Sequence, residues 1–277
     1  MSRHALRSPM LVAGLLIVGA FVVIALLAPV LAPHGLNEEL GDPRLHPSGT
    51  HLLGTDTAGH DILSQLIWGA RYSLTVAVAA ATLATVVGVT IGLLSGLVGG
   101  LVDTVVSRMV DVFLALPGLP LAILIGTLLA PTQGLVILLI ASAGWAPIAR
   151  TVRSEALTLR QRGFVQMARG NGAGPLYVVR RHLVPPLGPI IAARWVDYLS
   201  VAIFVESGLA FLGLSDPLHV SWGTLLDSAF DLGPLGIGDV WLWWVLPAGA
   251  AITLAVVGFT LVGVGLEPVF NRRVERS

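Results

Sequence analysis

The chain has 277 residues, of which 55% are apolar and 12% charged, with a mean hydropathy of +0.85. Soluble domains carry about 25% charged residues, so this composition excludes an ordinary soluble globule and describes an integral membrane protein. Cysteine is absent, which excludes disulfides and thiolate metal sites, and all 16 basic residues are arginine. Without lysine there is no GxxxxGK[ST] phosphate loop, so the chain does not bind and split ATP by that route.

In chain order, residues 1–9 form a short polar terminus carrying Arg3 and Arg7. The apolar run at 10–31 follows. It exceeds the roughly 7–15 residues of a cleavable signal core and reads as a retained first span. Residues 32–72 are too long for a simple turn. Pro33, Pro43 and Pro47 keep the first half extended, and Asp56 followed by DILSQLIWGARYSL predicts an N-capped helix leading into the second span. Residues 73–267 hold five further stretches able to cross about 30 Å of hydrocarbon as helices. They are Ser73 to Leu97, Val105 to Leu129, Gly134 to Thr151, Pro189 to Leu214 and Trp241 to Leu266. Between the last two, SDPLHVSWGTLLDSAFDLGPLGIGDVW reads as an irregular loop around one short amphipathic helix, Trp222 to Phe230. Residues 268–277 are a polar tail.

Six spans put both termini on one side. In that arrangement only Arg44 and Arg71 face away from the side that holds the remaining arginines, whereas Glu38, Glu39, Asp56, Asp61, Asp216 and Asp227 face away with them. The positive-inside rule then predicts cytoplasmic termini.

Few residues resemble catalytic machinery. Gly236-Ile-Gly-Asp239 matches the GxGD of intramembrane aspartyl proteases but sits in a polar loop without a second membrane-embedded aspartate, and it reads as a turn. Ser142 lacks the leading glycine of a nucleophile elbow, there is no HExxH, and the seven histidines are scattered, which argues against a metal cage. GNGAG at 170–174 has no βαβ unit around it and reads as a helix-breaking turn. Charges inside spans are costly and mark a packed or watery interior. Asp103, Arg108 and Asp111 crowd the start of the third span, where Arg108 and Asp111 are one turn apart and can pair. Asp111 and Glu206 are the two candidates for the translocation pathway. Glu206 either lines a central cavity or hydrogen-bonds to a neighbouring helix.

The stretch VQMARGNGAGPLYVVRRHLVPP, within a loop at 153–188, is the most distinctive. RSEALTLRQR carries the fourth span out of the membrane, Gly163 loosens it, and Phe164, Val165, Met167 and Ala168 return apolar side chains. Gly170-Asn171-Gly172 turns the chain, Pro175 opens a new helix, and Pro185 and Pro186 are expected to end that helix before the fifth span. The expected product is a helical hairpin outside the membrane with an apolar tip and arginines at its base. Lipid-facing arginines would account for the base. The apolar tip suits docking to another protein.

This stretch resembles the cytoplasmic EAA loop of permease subunits of ABC importers. Gln166-Met167-Ala168 stands for EAA, Gly172 for the motif glycine and Val184-Pro185 for Leu-Pro. HLLGTDTAGHDILSQLIWGARYSL, VDTVVSRMVDVFLALPGLPLAI, ESGLAFLGLSDP and SWGTLL extend the likeness over nearly the whole chain, to the second permease subunit of the peptide and nickel branch. Three positions depart from the pattern: Gln166 replaces the glutamate, Met167 the first alanine, and His60 the arginine of GRD.

The resemblance implies an all-α polytopic membrane protein of the type I ABC importer permease fold. Its implied partners are a second homologous permease, two cytoplasmic ATPases and an extracytoplasmic solute-binding protein. ATP and Mg2+ would sit on the ATPases, with no cofactor in this chain. Phe164, Val165, Gln166, Met167, Ala168, Gly172 and Pro185 would form the coupling element. Di- or oligopeptides are the first expected cargo, and nickel or another small solute the alternative. A secondary transporter or channel is the remaining rival, with only Glu206 and Asp111 to carry ion coupling.

Overall fold

A computed structural model describes residues 8–36, 38, 42–232 and 240–271, with side chains of the last helix described as far as residue 266. The Gly236 to Asp239 turn therefore lies outside the described residues. Among those described the regular structure is helical, and the sole extended pairing is an isolated bridge between Thr55 and Asp61.

The first span is α1, Pro9–Leu26, apolar on all sides and continued by the single turn α2, Ala28–Leu31. Helix α3, Ile62–Val98, starts well before the expected second span and includes it whole. Its N-cap is Asp61, whose side chain accepts from the Ser64 N–H, and not Asp56. Asp56 instead closes the preceding turn: its Oδ1 accepts from the N–H groups of Ala58 and His60, both at 2.8 Å. A carboxylate two and four residues ahead of free N–H groups satisfies a tight turn as readily as a helix start.

The stretch expected as the third span is broken into two helices. Helix α4, Gly100–Ala115, and helix α5, Gly118–Leu128, meet at 77°. The cause is local, because Pro117 holds Leu116 in an extended conformation (ψ 133°) and cannot itself donate to the helix before it. Helix α6, Gln133–Arg160, covers the expected fourth span and runs past Thr151 out to the hairpin. Helices α7, Gly163–Gly170, and α8, Pro175–Val178, form that hairpin.

Pro185 and Pro186 do not end the helix begun at Pro175. A π-helical turn at Val179–Leu183 leads directly into α9, Val184–Phe211, which holds most of the expected fifth span. There the Val184 N–H reaches back to the Val179 carbonyl. The widened turn makes room for proline rings that would clash in regular α geometry, so the chain stays helical through them. Helix α10, Trp222–Phe230, has the expected bounds and opens with a capping box between Ser221 and Thr224. A second π-helical turn, Trp241–Val245, enters α11, Leu246–Asn271.

Among the described residues, five helices are long and apolar enough to cross a membrane, or six segments if the bent α4–α5 pair counts as one. The most extensive pair is α3 with α6, followed by α1 with α11 and α9 with α11. Inside a bilayer there is little hydrophobic drive between helices, so close backbone approach supplies the attraction. The seam between α3 and α6 shows this. Gly88, Gly92 and Gly96 lie one turn apart, and a Cβ on each would come 2.7 Å from the Trp145 carbonyl, the Ala149 carbonyl and the Ala156 Cβ respectively.

Candidate functional site

The hairpin is built on anchors that point inward. Val165 on α7, Val178 on α8, Leu183 in the π turn and Leu187 on α9 are all fully buried in the main core. Val165, expected at the exposed tip, is thus a root of the hairpin, because the single apolar face of a two-turn helix must cover the ends of the spans beneath it. Between α7 and α8 the chain reverses in a Schellman turn. Gly172 takes φ +84°, the Ala173 N–H bonds to the Ala168 carbonyl at 3.0 Å, and the Gly172 N–H bonds to the Arg169 carbonyl at 2.9 Å. A left-handed φ of this kind is the reason a glycine stands there.

What remains exposed is apolar. Phe164 and Met167 on α7 are joined by Leu176 and Tyr177 on α8, with exposures of 49%, 69%, 69% and 56%. Phe164 and Tyr177 both lie against His182, at ring-centroid distances of 6.0 and 5.6 Å, so the two helices present one surface. Leu176 and Tyr177 were not among the residues expected at the tip, and their exposure follows from how α8 packs against α7 and not from a local signal. Gln166 is exposed and donates from Nε2 to the Gln161 carbonyl at 3.3 Å. Ala168 is half-buried, and Pro185 is exposed within the first turn of α9.

Polar straps tie the end of α6 and the hairpin to α3 and α4. Arg169 Nη2 donates to the Leu97 carbonyl at 3.5 Å and Arg160 Nη1 to the Gly96 carbonyl at 3.4 Å. Arg153 binds Asp103 through two nitrogens, Nε to Oδ1 and Nη2 to Oδ2, the latter at 2.6 Å, and Ser95 Oγ also donates to Asp103.

Asp111 does face Arg108, at 3.7 Å, but its shorter bond is to Arg150 of α6. These residues, with Asp103 and Arg153, line an open cleft of about 420 Å3. Glu206 is buried at 1% exposure within α9, faced by the hydroxyls of Ser73, Ser207 and Ser221. Its Oε2 lies 3.4 Å from Ser207 Oγ on the same helix. Glu206 is not among the residues that line the cleft holding Asp111.

At the opposite end of the spans, Asp216 joins the loop after α9 to the start of α6. Its Oδ1 accepts from the Leu218 N–H at 3.0 Å and its Oδ2 from the Gln133 N–H at 3.1 Å. Those N–H groups, the Leu218 one foremost, hold the carboxyl below the ordinary carboxylate range. Asp56, His60, Gln65, Asp216, His219 and Asp227 contribute to a cleft of about 450 Å3 beside it.

The fold is similar to that of the MetNI methionine ABC transporter in an inward-facing conformation, with a TM-score of 0.60 at 18% identity over 77% of this chain and 98% of that one. The dipeptide transport system permease protein DppC of Bacillus subtilis is 31% identical over 99% of this chain and 85% of its own length. The protein of the same name from Alkalihalophilus pseudofirmus is 32% identical over 97% of this chain and 88% of its own. Residues 2–47 match the N-terminal TM domain of oligopeptide transport permease C. Residues 88–276 match the binding-protein-dependent transport system inner membrane component. A multi-pass helical chain with that match over most of its length belongs to the binding-protein-dependent transport system inner membrane component family.

Proposed function

We propose that this chain is a permease subunit of an ATP-driven importer of di- or oligopeptides, supplying half of the translocation pathway. The observation that carries this reading is the near full-length likeness to dipeptide transport permeases from two organisms. The chain lies in the inner membrane with six spans, the α4–α5 pair forming the third, and both termini in the cytoplasm. The crowding of arginines at 150–181, on the hairpin end of the spans, supports that orientation.

A second homologous permease completes the pathway, two cytoplasmic ATPases bind and hydrolyse ATP with Mg2+, and an extracytoplasmic binding protein delivers the cargo. The face formed by Phe164, Met167, Leu176 and Tyr177 seats in a groove of one ATPase, with Gln166, Ala168 and Pro185 at its margin. Val165 and Gly172 hold that face in shape from behind. Closure of the ATPases on ATP pushes the hairpin, and the straps from Arg153, Arg160 and Arg169 carry the displacement to α3 and α4. Gln166 lacks the charge of the usual glutamate, yet its amide still reaches the Gln161 carbonyl and keeps α7 against the end of α6.

The test is reconstitution of the chain with its partner permease, ATPases and binding protein in proteoliposomes, followed by labelled dipeptide uptake. Uptake is expected to require both ATP and the binding protein. Uptake by the isolated chain under an ion gradient would overturn the reading.

A further inference from the structure

The polar segment between α2 and α3 folds back so that three groups far apart in sequence converge. His34, His51 and Asp61 each offer a ligand atom, and these atoms all lie within 4.8 Å of one another. Their imidazoles are 5.4 Å apart between ring centroids, and His51 Nδ1 is 3.1 Å from Asp61 Oδ1. The histidines that look scattered along the sequence are brought together here with a carboxylate.

We propose that His34, His51 and Asp61 bind a divalent cation of zinc type. Two imidazoles and one carboxylate form a donor set suited to Zn2+ and other borderline metals, and unsuited to Mg2+ or Ca2+, which prefer oxygen ligands throughout. Zn–N bonds of about 2.0 Å place tetrahedral ligand atoms roughly 3.3 Å apart. The His51–Asp61 pair already has that separation, so His34 alone must close in.

The surroundings hold two of the ligands in place and leave the third adjustable. Asp61 Oδ2 is fixed as the cap of α3, accepting from the Ser64 N–H and Ser64 Oγ, both at 2.8 Å, which leaves Oδ1 to face the imidazoles. Ser64 Oγ in turn accepts from the His34 N–H at 3.1 Å, so one hydroxyl ties the backbone of one ligand to the carboxylate of another. His51 is held by its own backbone, through the Ser48 side chain to its N–H and the Ser48 and Gly54 N–H groups to its carbonyl. Outer contacts of this kind orient metal ligands and raise affinity. Only His34 is half-exposed, while His51 and Asp61 are buried. The cation would enter past His34, with water completing its coordination. It would clamp the segment after α2 to the start of α3. The inference does not depend on the cargo or on which side of the membrane this segment faces.

The test uses the full chain in nanodiscs, purified without a histidine tag. Zn2+ is titrated by calorimetry, and Co2+ by the visible absorption of a tetrahedral site. One Zn2+ per chain is expected, with a rise in unfolding temperature that Mg2+ does not reproduce. His34→Ala keeps the backbone bond to Ser64 and should fold, yet lose about a hundredfold or more in Zn2+ affinity. His34→Gln should lose as much. His46→Ala, whose imidazole lies against Trp243, should bind as the natural chain does. Absence of saturable binding would overturn the proposal, and so would a loss under about tenfold in both His34 variants.

Discussion

Asp103 of α4 is gripped by two nitrogens of Arg153 on α6, across 50 residues of sequence. This bond joins the first helix of the bent α4–α5 pair to the helix that carries the hairpin. Both side chains are partly buried, at 19% and 29% exposure. Charge-assisted pairs in such settings lose about 1–3 kcal/mol when one partner is removed. Asp103→Asn and Arg153→Gln should each lower thermal stability by that order, and the double variant by clearly less than the sum. Additive losses would show that the two residues act separately.

The α3–α6 seam leaves no room for a side chain at Gly92, where a Cβ would meet the Ala149 carbonyl at 2.7 Å. Gly92→Leu should therefore destabilise by about 1–3 kcal/mol, or prevent insertion altogether. Gly188→Ala provides the contrast, since a Cβ there meets nothing within 4 Å. Equal melting temperatures for the two variants would argue against the seam.

At Gly172 the constraint is the backbone conformation, with open space around the position. Gly172→Val forces a branched residue to φ +84° at a cost of about 1–2 kcal/mol. The chain should still insert, while transport and stimulation of the ATPases are lost. Asparagine tolerates this conformation, so Gly172→Asn should retain more activity than valine. Normal uptake by the valine variant would remove Gly172 from the coupling path.

Met167 and Tyr177 face outward, whereas Val165 is buried. Met167→Glu and Tyr177→Glu should leave stability unchanged and reduce co-purification of the ATPase subunits. Val165→Glu should disorder the hairpin and lower the melting temperature, because it places a carboxylate in an apolar site. If all three variants melted early, the exposed face would be structural and not a docking surface.

Asp216 supplies a dependence on pH. Its carboxyl is held below the ordinary range by the Leu218 and Gln133 N–H groups and His219. Its stabilising contribution is present above the unfolded-state pKa and is lost as pH falls through the depressed folded value. Melting temperature should therefore fall more steeply on acidification below the ordinary carboxylate range in the natural chain than in Asp216→Asn. Parallel curves would exclude Asp216 as the source.

Hydropathy alone located five helices long and apolar enough to cross a membrane, because each is a local property of some twenty residues in hydrocarbon. Helix α10 and the Gly172 turn were equally legible, since capping and left-handed glycine act within a few residues. The break at Pro117 had a local signal too, but the apolar run continues across it and hides the 77° bend. The run through Pro185 and Pro186 was misread because a π turn, which absorbs the rings, has no signature in composition. Only the tertiary structure decided what lies opposite what: Asp103 with Arg153, Val165 inside the hairpin and Leu176 outside, and His34 beside His51 and Asp61. These are relations between residues 10 to 50 positions apart, and they arise from how the segments pack against one another.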